Sequence, residues 1–422
     1  MYRNQNNPFR RLAAAVALVS LAAGNALAQP AAGEPAPASL AQAFAAAWAR
    51  QPEAQSLATR REAMGARRQA ADSWLAEPPS LELSGKSDRM GGNDGNREYV
   101  AGLALPLWLP GERAHSGALA DAEIKANQSR ANAAQLRTAA AVREAWWNWQ
   151  RARGEQVLAD ARVAASRRLA DDVARRVKAG DLSRADRHQA DGALAGAEVA
   201  QAETAAMLAT ATQQLRAVVG RLPDAHGGEA AEPMPAIPAD FATPAATHPA
   251  VAELADRTEV ARRAADLAGV QSRANPELTL LASRERSAFG ESWGDALTVG
   301  VRIPLGSTSR HRAKLGQARA EAIESEGQLQ LERERLAADL DTAKSRVEAA
   351  RMQLAAAEKR AQLAAESRGF FDKSFRFGET DLPTRLRIEL EAVEAERQAA
   401  RVRIDHAAAV SALRQALGLL PE

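Results

Sequence analysis

A set of landmarks recurs along this chain at an almost constant separation, which restricts it to folds built from two copies of one unit. Gln51-Pro52 is matched by His248-Pro249, and Pro79-Ser80-Leu81-Glu82-Leu83 by Pro276-Glu277-Leu278-Thr279-Leu280, each 197 residues apart. Gly102-Leu103-Ala104-Leu105-Pro106-Leu107 precedes Gly300-Val301-Arg302-Ile303-Pro304-Leu305 by 198 residues, and the spacing stays at 198 for Gly180-Asp181 with Gly378-Glu379 and for Gly220 with Gly418. One such pair would carry little. Five in the same order, with one single-residue slip, indicate a duplication. The units are read as residues 29–221 and 248–422, and the Pro-, Gly- and Ala-rich stretch 222–247 as an extended linker folded against the outside.

Within each unit the hydrophobic period changes in the same order. A helix opens at Ser39-Leu40-Ala41-Gln42, where Ser as N-cap and Gln three residues on suit a capping box. It breaks near Pro52 and resumes to about Trp74; its counterpart runs from Pro249 to Arg273. Two extended segments follow in each unit, 80–89 with 97–105 and 277–286 with 296–303, joined by stretches rich in turn formers. Leu81, Leu83 and Gly85 alternate with Glu82, Ser84 and Lys86, the period of a strand with unlike faces.

A very long helix comes next in each unit, 112–179 and 310–377, then a shorter returning one, 183–219 and 383–417. At 1.5 Å per residue, about 65 residues span roughly 100 Å, a length for which a compact domain has no use. Leu315, Ala322, Leu329, Leu336 and Ala343 lie seven apart, as do Leu340, Val347, Leu354 and Ala361, giving a coiled-coil seam. The many Ala on that seam imply closely spaced helices.

The first residues combine Arg3, Arg10 and Arg11 with an apolar run from Leu12 to Ala23 and then Ala26-Leu27-Ala28, the pattern of a cleaved secretory signal, residues 1–28. Removing it takes away three Arg and no acid, leaving 52 basic against 53 acidic residues and moving the formal charge from +2 to −1. Nothing in that interspersed balance calls for nucleic acid. The absence of cysteine excludes disulfides, thiol catalysis and a lipidated N-terminal Cys. No other long apolar segment occurs, so entry into a membrane requires closed β-structure, in which every backbone group is paired.

Strands of about ten residues suit a tilted crossing of an outer membrane, but four cannot close a barrel whose single-chain minimum is about eight. Closure therefore falls to other subunits. Two copies would give eight strands and a filled interior, three would give twelve and an open lumen, and physics alone leaves the choice open.

Taken together, Ser39-Leu40-Ala41-Gln42-Ala43 with Gln51-Pro52, the paired P-x-L-x-L strand starts, the Leu-Pro-Leu and Ile-Pro-Leu strand ends, and the glycines Gly180 and Gly378 resemble the TolC-like outer-membrane efflux proteins over nearly the whole mature chain. That resemblance implies a mainly α fold with a membrane β-barrel: a homotrimer with twelve strands in outer-membrane lipid and a helical tunnel in the periplasm of a Gram-negative cell. It also implies a periplasmic adaptor and an inner-membrane pump of the proton-driven RND type as partners. On the same ground, Gly180, Asp181, Leu182, Ser183, Gly378, Glu379, Thr380 and Asp381 are expected to meet the adaptor. Asp186 matches a family carboxylate that helps hold the pore closed, while Thr384 and Arg387 stand where some relatives place acidic pore-lining residues, so an acidic ring would have to come from Glu379 and Asp381. Leu107-Trp108-Leu109-Pro110-Gly111 resembles the heavy-metal branch, which implies metal cations or small toxic compounds as cargo.

No cofactor and no enzyme activity are expected, because neither a serine, histidine and acid constellation nor a phosphate loop is present. His115, His188, His226, His248, His311 and His406 lack the spacing of zinc ligands, so no metal site is expected. Trp146, Trp147 and Trp149 are read as packing against the linker or neighbouring helices rather than as a ligand platform. The competing readings are a periplasmic coiled-coil adaptor, which would carry one helical hairpin flanked by small β-domains, and an envelope scaffold without a pore.

Overall fold

The computed structural model describes residues 36–224, 231–237 and 247–422. The expected signal segment, 1–28, and residues 225–230 and 238–246 of the expected linker lie outside the described residues. Two series of elements follow one another in the same order. The first comprises α1 (Leu40–Ala49), α2 (Pro52–Ala71), β1 (Ser80–Ser87), β2 (Arg97–Pro106), α3 (Glu112–Ala179) and α4 (Arg184–Val219). The second comprises α5 (Pro249–Val270), β3 (Glu277–Arg286), β4 (Gly294–Arg302), α6 (Thr308–Arg376) and α7 (Leu382–Ala416).

Local chemistry accounts for where these elements begin and end. Ser39 caps α1 by accepting from Gln42 N at 3.3 Å, but the Gln42 side chain accepts from Ala38 N at 2.8 Å rather than from Ser39, so only half of the expected capping box forms. The break before α2 coincides with Pro52, which is tolerated in a first helical turn and cannot continue the one before it. Strand β1 stops at Ser87, two residues earlier than the alternation suggested. Asp88 turns the chain there, its carboxylate accepting from Gly95 N at 2.9 Å and Asn96 N at 3.0 Å.

Sheet and helices meet at a polar junction. Glu112, 3 % exposed at the start of α3, accepts from Leu109 N, from Gln271 Nε2 and from Asn275 Nδ2 at 3.0, 2.7 and 2.8 Å. One carboxylate thus joins the strand end, the long helix and the end of α5. Trp108 also belongs to this junction, donating from Nε1 to Ser73 O at 3.1 Å.

Midway along α3 the helices carry the largest core. Trp146, Trp147 and Trp149 pack with Leu40, Leu215 and Ile404, so the tryptophans serve packing. Trp147 Nε1 donates to Ser411 Oγ at 2.9 Å. Beside it, Glu232 of the linker sits between two arginines. Arg143 binds it twice, at 3.0 and 2.7 Å, and Arg414 adds an ion pair at 3.2 Å. All three side chains are 5 % exposed or less. The described part of the linker is therefore pinned to α3 and α7. Along α6 the expected seam is buried at Ala322, Leu336, Leu340, Ala343 and Val347 and half-buried at Leu315, Leu329, Leu354 and Ala361.

Breaking a buried pair by deleting one partner is worse than never having it, because the remaining charge stays buried without compensation. Glu232→Gln is expected to destabilise the fold by about 3–5 kcal/mol, since two guanidinium groups lose their shared carboxylate. Denaturant unfolding of the variant and of the parent checks this, and a difference within error would show that the linker clamp is not structural.

Candidate functional site

The four strands form one antiparallel sheet in the order β1-β2-β3-β4, leaving β1 and β4 as unpaired edges. Its register aligns Leu81 with Leu103, Leu103 with Leu280, and Leu280 with Val299. The next row toward the helices joins Leu105, Leu278 and Val301, and the next row away joins Leu83, Ala101, Ala282 and Leu297. Directly opposed residues share a face, so Leu81, Leu83, Leu103, Leu105, Leu278 and Leu280 lie on one apolar face. Nothing among the described residues covers it: Leu81, Leu83 and Leu297 are 69, 72 and 77 % exposed.

The other face carries Glu82 opposite Gly102, Lys86 opposite Glu98, and Thr279 opposite Gly300, with Leu281 and Val100 as its larger apolar members. It is also the crowded face. A methyl group on Gly102 would fall 2.5 Å from Leu281, and one on Gly300 would fall 2.8 Å from Thr279. On the apolar face, Gly85 would meet Tyr99 at an ordinary 3.5 Å. Gly102 is buried on this face and Val100 and Ala104 are half-buried, so the polar face is the more closely packed of the two.

At the far end of the helices lie the two expected tips, and they are built alike. Gly180 has φ +86° and Gly378 φ +78°, the left-handed region in which glycine pays no Cβ penalty. Asp181 N donates to Arg176 O at 2.9 Å and Gly180 N to Val177 O at 3.2 Å; Glu379 N donates to Ser374 O at 3.0 Å and Gly378 N to Phe375 O at 3.1 Å. Both turns are Schellman motifs. Gly180, Asp181, Ser183, Gly378, Glu379 and Asp381 are exposed, while Leu182 and Thr380 are half-buried.

The candidate closure residues are occupied locally. The Asp186 carboxylate accepts from Ser183 N at 2.9 Å and Ser183 Oγ at 2.7 Å, while Ser183 Oγ accepts from Asp186 N, a complete capping box at the start of α4. Thr384 N donates to Asp381 Oδ1 at 3.2 Å, capping α7. Hydrogen bonds from the Thr384 side chain and backbone N–H hold the Asp381 carboxyl below its ordinary pKa. Arg387 pairs with Glu391 at 2.8 Å along its own helix.

What joins the two tips was not anticipated. Phe375 is 2 % exposed and lies between the guanidinium groups of Arg176 and Arg385, whose carbons are 5.1 and 4.7 Å from the ring centre. Arg176 also donates to Phe375 O and Arg376 O at 3.4 and 3.1 Å. Leu382, Val173 and Ala190 complete this core. A sequence signal for it existed: an aromatic residue just inside a glycine-terminated helix, facing the apolar start of the returning one. Among the described residues no group of three or more His, Cys, Asp or Glu is placed to hold a metal ion.

Residues 44–221 match the family model described as outer membrane efflux protein. That match spans the first repeat, over which the chain is similar to this family. Among curated proteins no sequence relative matches. Solved structures with the same fold include the outer membrane protein VceC of Vibrio cholerae, at 18 % identity and TM-score 0.70, covering 91 % of this chain and 97 % of that one. The open-state outer membrane channel MtrE of Neisseria gonorrhoeae gives 17 % identity and TM-score 0.72, with 91 and 90 % covered. CusC gives 15 % identity and TM-score 0.74, with 91 and 92 % covered. The mainly helical fold with one four-stranded sheet is thus that of the TolC-like channels.

Two outcomes are expected for these tips. Gly180→Val or Gly378→Val should cost about 1–2 kcal/mol locally, since a β-branched residue is forced into the left-handed region, and hydrogen exchange at each turn would register it. The Asp381 cap should act fully above the unfolded carboxylate pKa and fade as pH falls through the lower folded value. Asp381→Asn, whose cap does not titrate, should keep the α7 start protected in acid where the parent frays.

Proposed function

We propose that three copies of this chain close a twelve-stranded barrel in the outer membrane above a helical periplasmic tunnel, forming a passive exit duct for efflux. The carrying observation is a sheet with one uncovered apolar face, one polar, more closely packed face and two unpaired edges. In hydrocarbon an unpaired edge costs several kcal/mol per backbone group, so β4 must pair with β1 of another copy. Three copies leave a lumen where two would not.

As the duct's partners we propose a periplasmic adaptor meeting the Gly180–Ser183 and Gly378–Asp381 turns, and a proton-driven inner-membrane pump. The exposure and matched geometry of both turns support that placement. Asp186, Thr384 and Arg387 would act at the constriction through helix ends. Asp186 and Thr384 fix where α4 and α7 begin, and Arg387 lies one turn further along α7. Heavy-metal cations or small toxic compounds are the proposed cargo. The Leu107-Gly111 segment has a structural role as the junction below the sheet, so it adds nothing to that choice.

Detergent-extracted protein should have the mass of three chains and conduct ions in planar bilayers; a folded monomer with its own closed barrel would contradict trimeric closure, and a non-conducting trimer would favour a scaffold. Arg placed at Leu81 or Leu83 should cost about 2–4 kcal/mol of stability in bilayers, and far less at Glu82 or Ser84. Equal tolerance in such a scan would overturn the assignment of faces. Asp186→Ala should raise resting conductance, and bulky residues at Gly180 or Gly378 should stop export while trimers still insert.

A further inference from the structure

The apolar face changes character toward its hairpin end. Continuing the rows outward from Leu103 with Leu280 and Ala101 with Ala282, the register places Tyr99 opposite Arg284 and then Arg97 opposite Arg286. Two arginines directly opposed on one face repel each other, and no ion pair among the described residues relieves them. Arg97 donates only to Ser87 Oγ at 3.2 Å and Arg286 only to Gly95 O at 3.4 Å. Arg284 does have a carboxylate, Asp295 at 3.5 Å, but both side chains are more than half exposed. The other acids of these rows, Glu98 and Glu285, are one residue out of phase and project from the opposite face.

Aromatic rings hold the guanidinium groups in place. Arg286 lies 5.0 Å from the Trp293 ring centre and 5.4 Å from that of Phe289. Arg284 lies 5.5 Å from Trp293, which stacks with Tyr99 at 5.9 Å. Positive charge is thus set beyond the uncovered apolar rows, Arg284 about 7 Å and Arg97 with Arg286 about 14 Å along the strands, two and four residues out. Arg is suited to such a place because its planar fork binds phosphate bidentately and stacks on rings. A ligand that fills both parts must have acyl chains for the apolar rows and a phosphate for the arginines.

We propose that Arg97, Arg284 and Arg286, backed by Tyr99, Phe289 and Trp293, form an outward-facing site for the phosphate of an anionic, phosphorylated lipid of the outer leaflet. The inference rests on the channel reading above, which puts the hairpin end of the sheet at the cell-exterior boundary of the membrane. The bound phosphate would offset the Arg97–Arg286 repulsion and tie the barrel rim to the leaflet.

Native mass spectrometry of the detergent-solubilised trimer tests it, using bis-phosphorylated lipid A, the same lipid with its phosphates removed, and inorganic phosphate as separate probes. The parent should retain the phosphorylated lipid. Arg97→Gln with Arg286→Gln should lower that retention about tenfold or more, Arg97→Lys with Arg286→Lys should lose less, and Lys86→Gln on the polar face should change nothing. Equal retention of the dephosphorylated lipid, or no loss in the double glutamine variant, would overturn the proposal. Retention of inorganic phosphate without preference for the lipid would overturn the lipid as its source. If the glutamine pair fails to assemble, Trp293→Ala serves instead, with the same loss expected and an unchanged retention decisive against the site. Bilayer conductance read on the same samples separates the two readings: conduction without lipid retention removes only the lipid site, and lipid retention without conduction removes the channel.

Discussion

Every backbone N–H and C=O placed in hydrocarbon needs a partner, and a four-stranded sheet cannot supply them all. Its inner strands β2 and β3 are paired on both sides, while β1 and β4 each present a bare edge. That shortage makes the chain incomplete alone and orders the rest of the structure around assembly. On the proposed channel reading the exposed leucines of the sheet are uncovered for the same reason: they face lipid, not another part of the protein. Large exposed apolar surface on a soluble protein marks a binding site or a liability; on the proposed reading it marks instead the solvent for which the surface is shaped.

The helical part solves a different problem, keeping very long elements straight and in register with little core. Alanine at positions such as Ala322, Ala343, Ala392 and Ala399 lets helices approach closely along their length. Polar fixtures then set the register at intervals: Glu112 at the junction, Arg143 with Glu232 at mid-height, and Arg176 across the tips. Between them, exposed pairs such as Arg387 with Glu391 add solubility and only a few tenths of a kcal/mol each.

Much of this was legible in sequence because it depends on local periodicity. The two-residue alternation of Leu81 and Leu83 gave the strand face, and Gly180 and Gly378 gave chain reversals that only a left-handed residue closes well. The features that sequence hid are those made by residues distant along the chain. Glu232 stands in an aperiodic Pro-rich stretch where an acid reads as solvated, yet two helices bury it. Phe375 sits between Lys373 and Arg376, and although its place just inside a glycine-terminated turn is a signal, the packing of α3 against the second tip is what gives it a partner. The capping box at Ser39 failed by one residue because Ala38 N lay within reach of the Gln42 side chain, a choice that composition does not decide.

The clamp around Glu232 also bears on the order in which the molecule can be made. Arg143 reaches the linker and, in addition, Gln415 and Leu419, partners more than 270 positions later in the chain. Contacts of such sequence separation are slow to form and leave apolar surface open meanwhile. The tryptophan core beside the clamp, which needs Ile404 and Ala407 from α7, therefore cannot close until nearly the whole polypeptide has been synthesised and delivered. Until then the first repeat is a long, incompletely covered hairpin, and a cell making this protein must shield it for that interval.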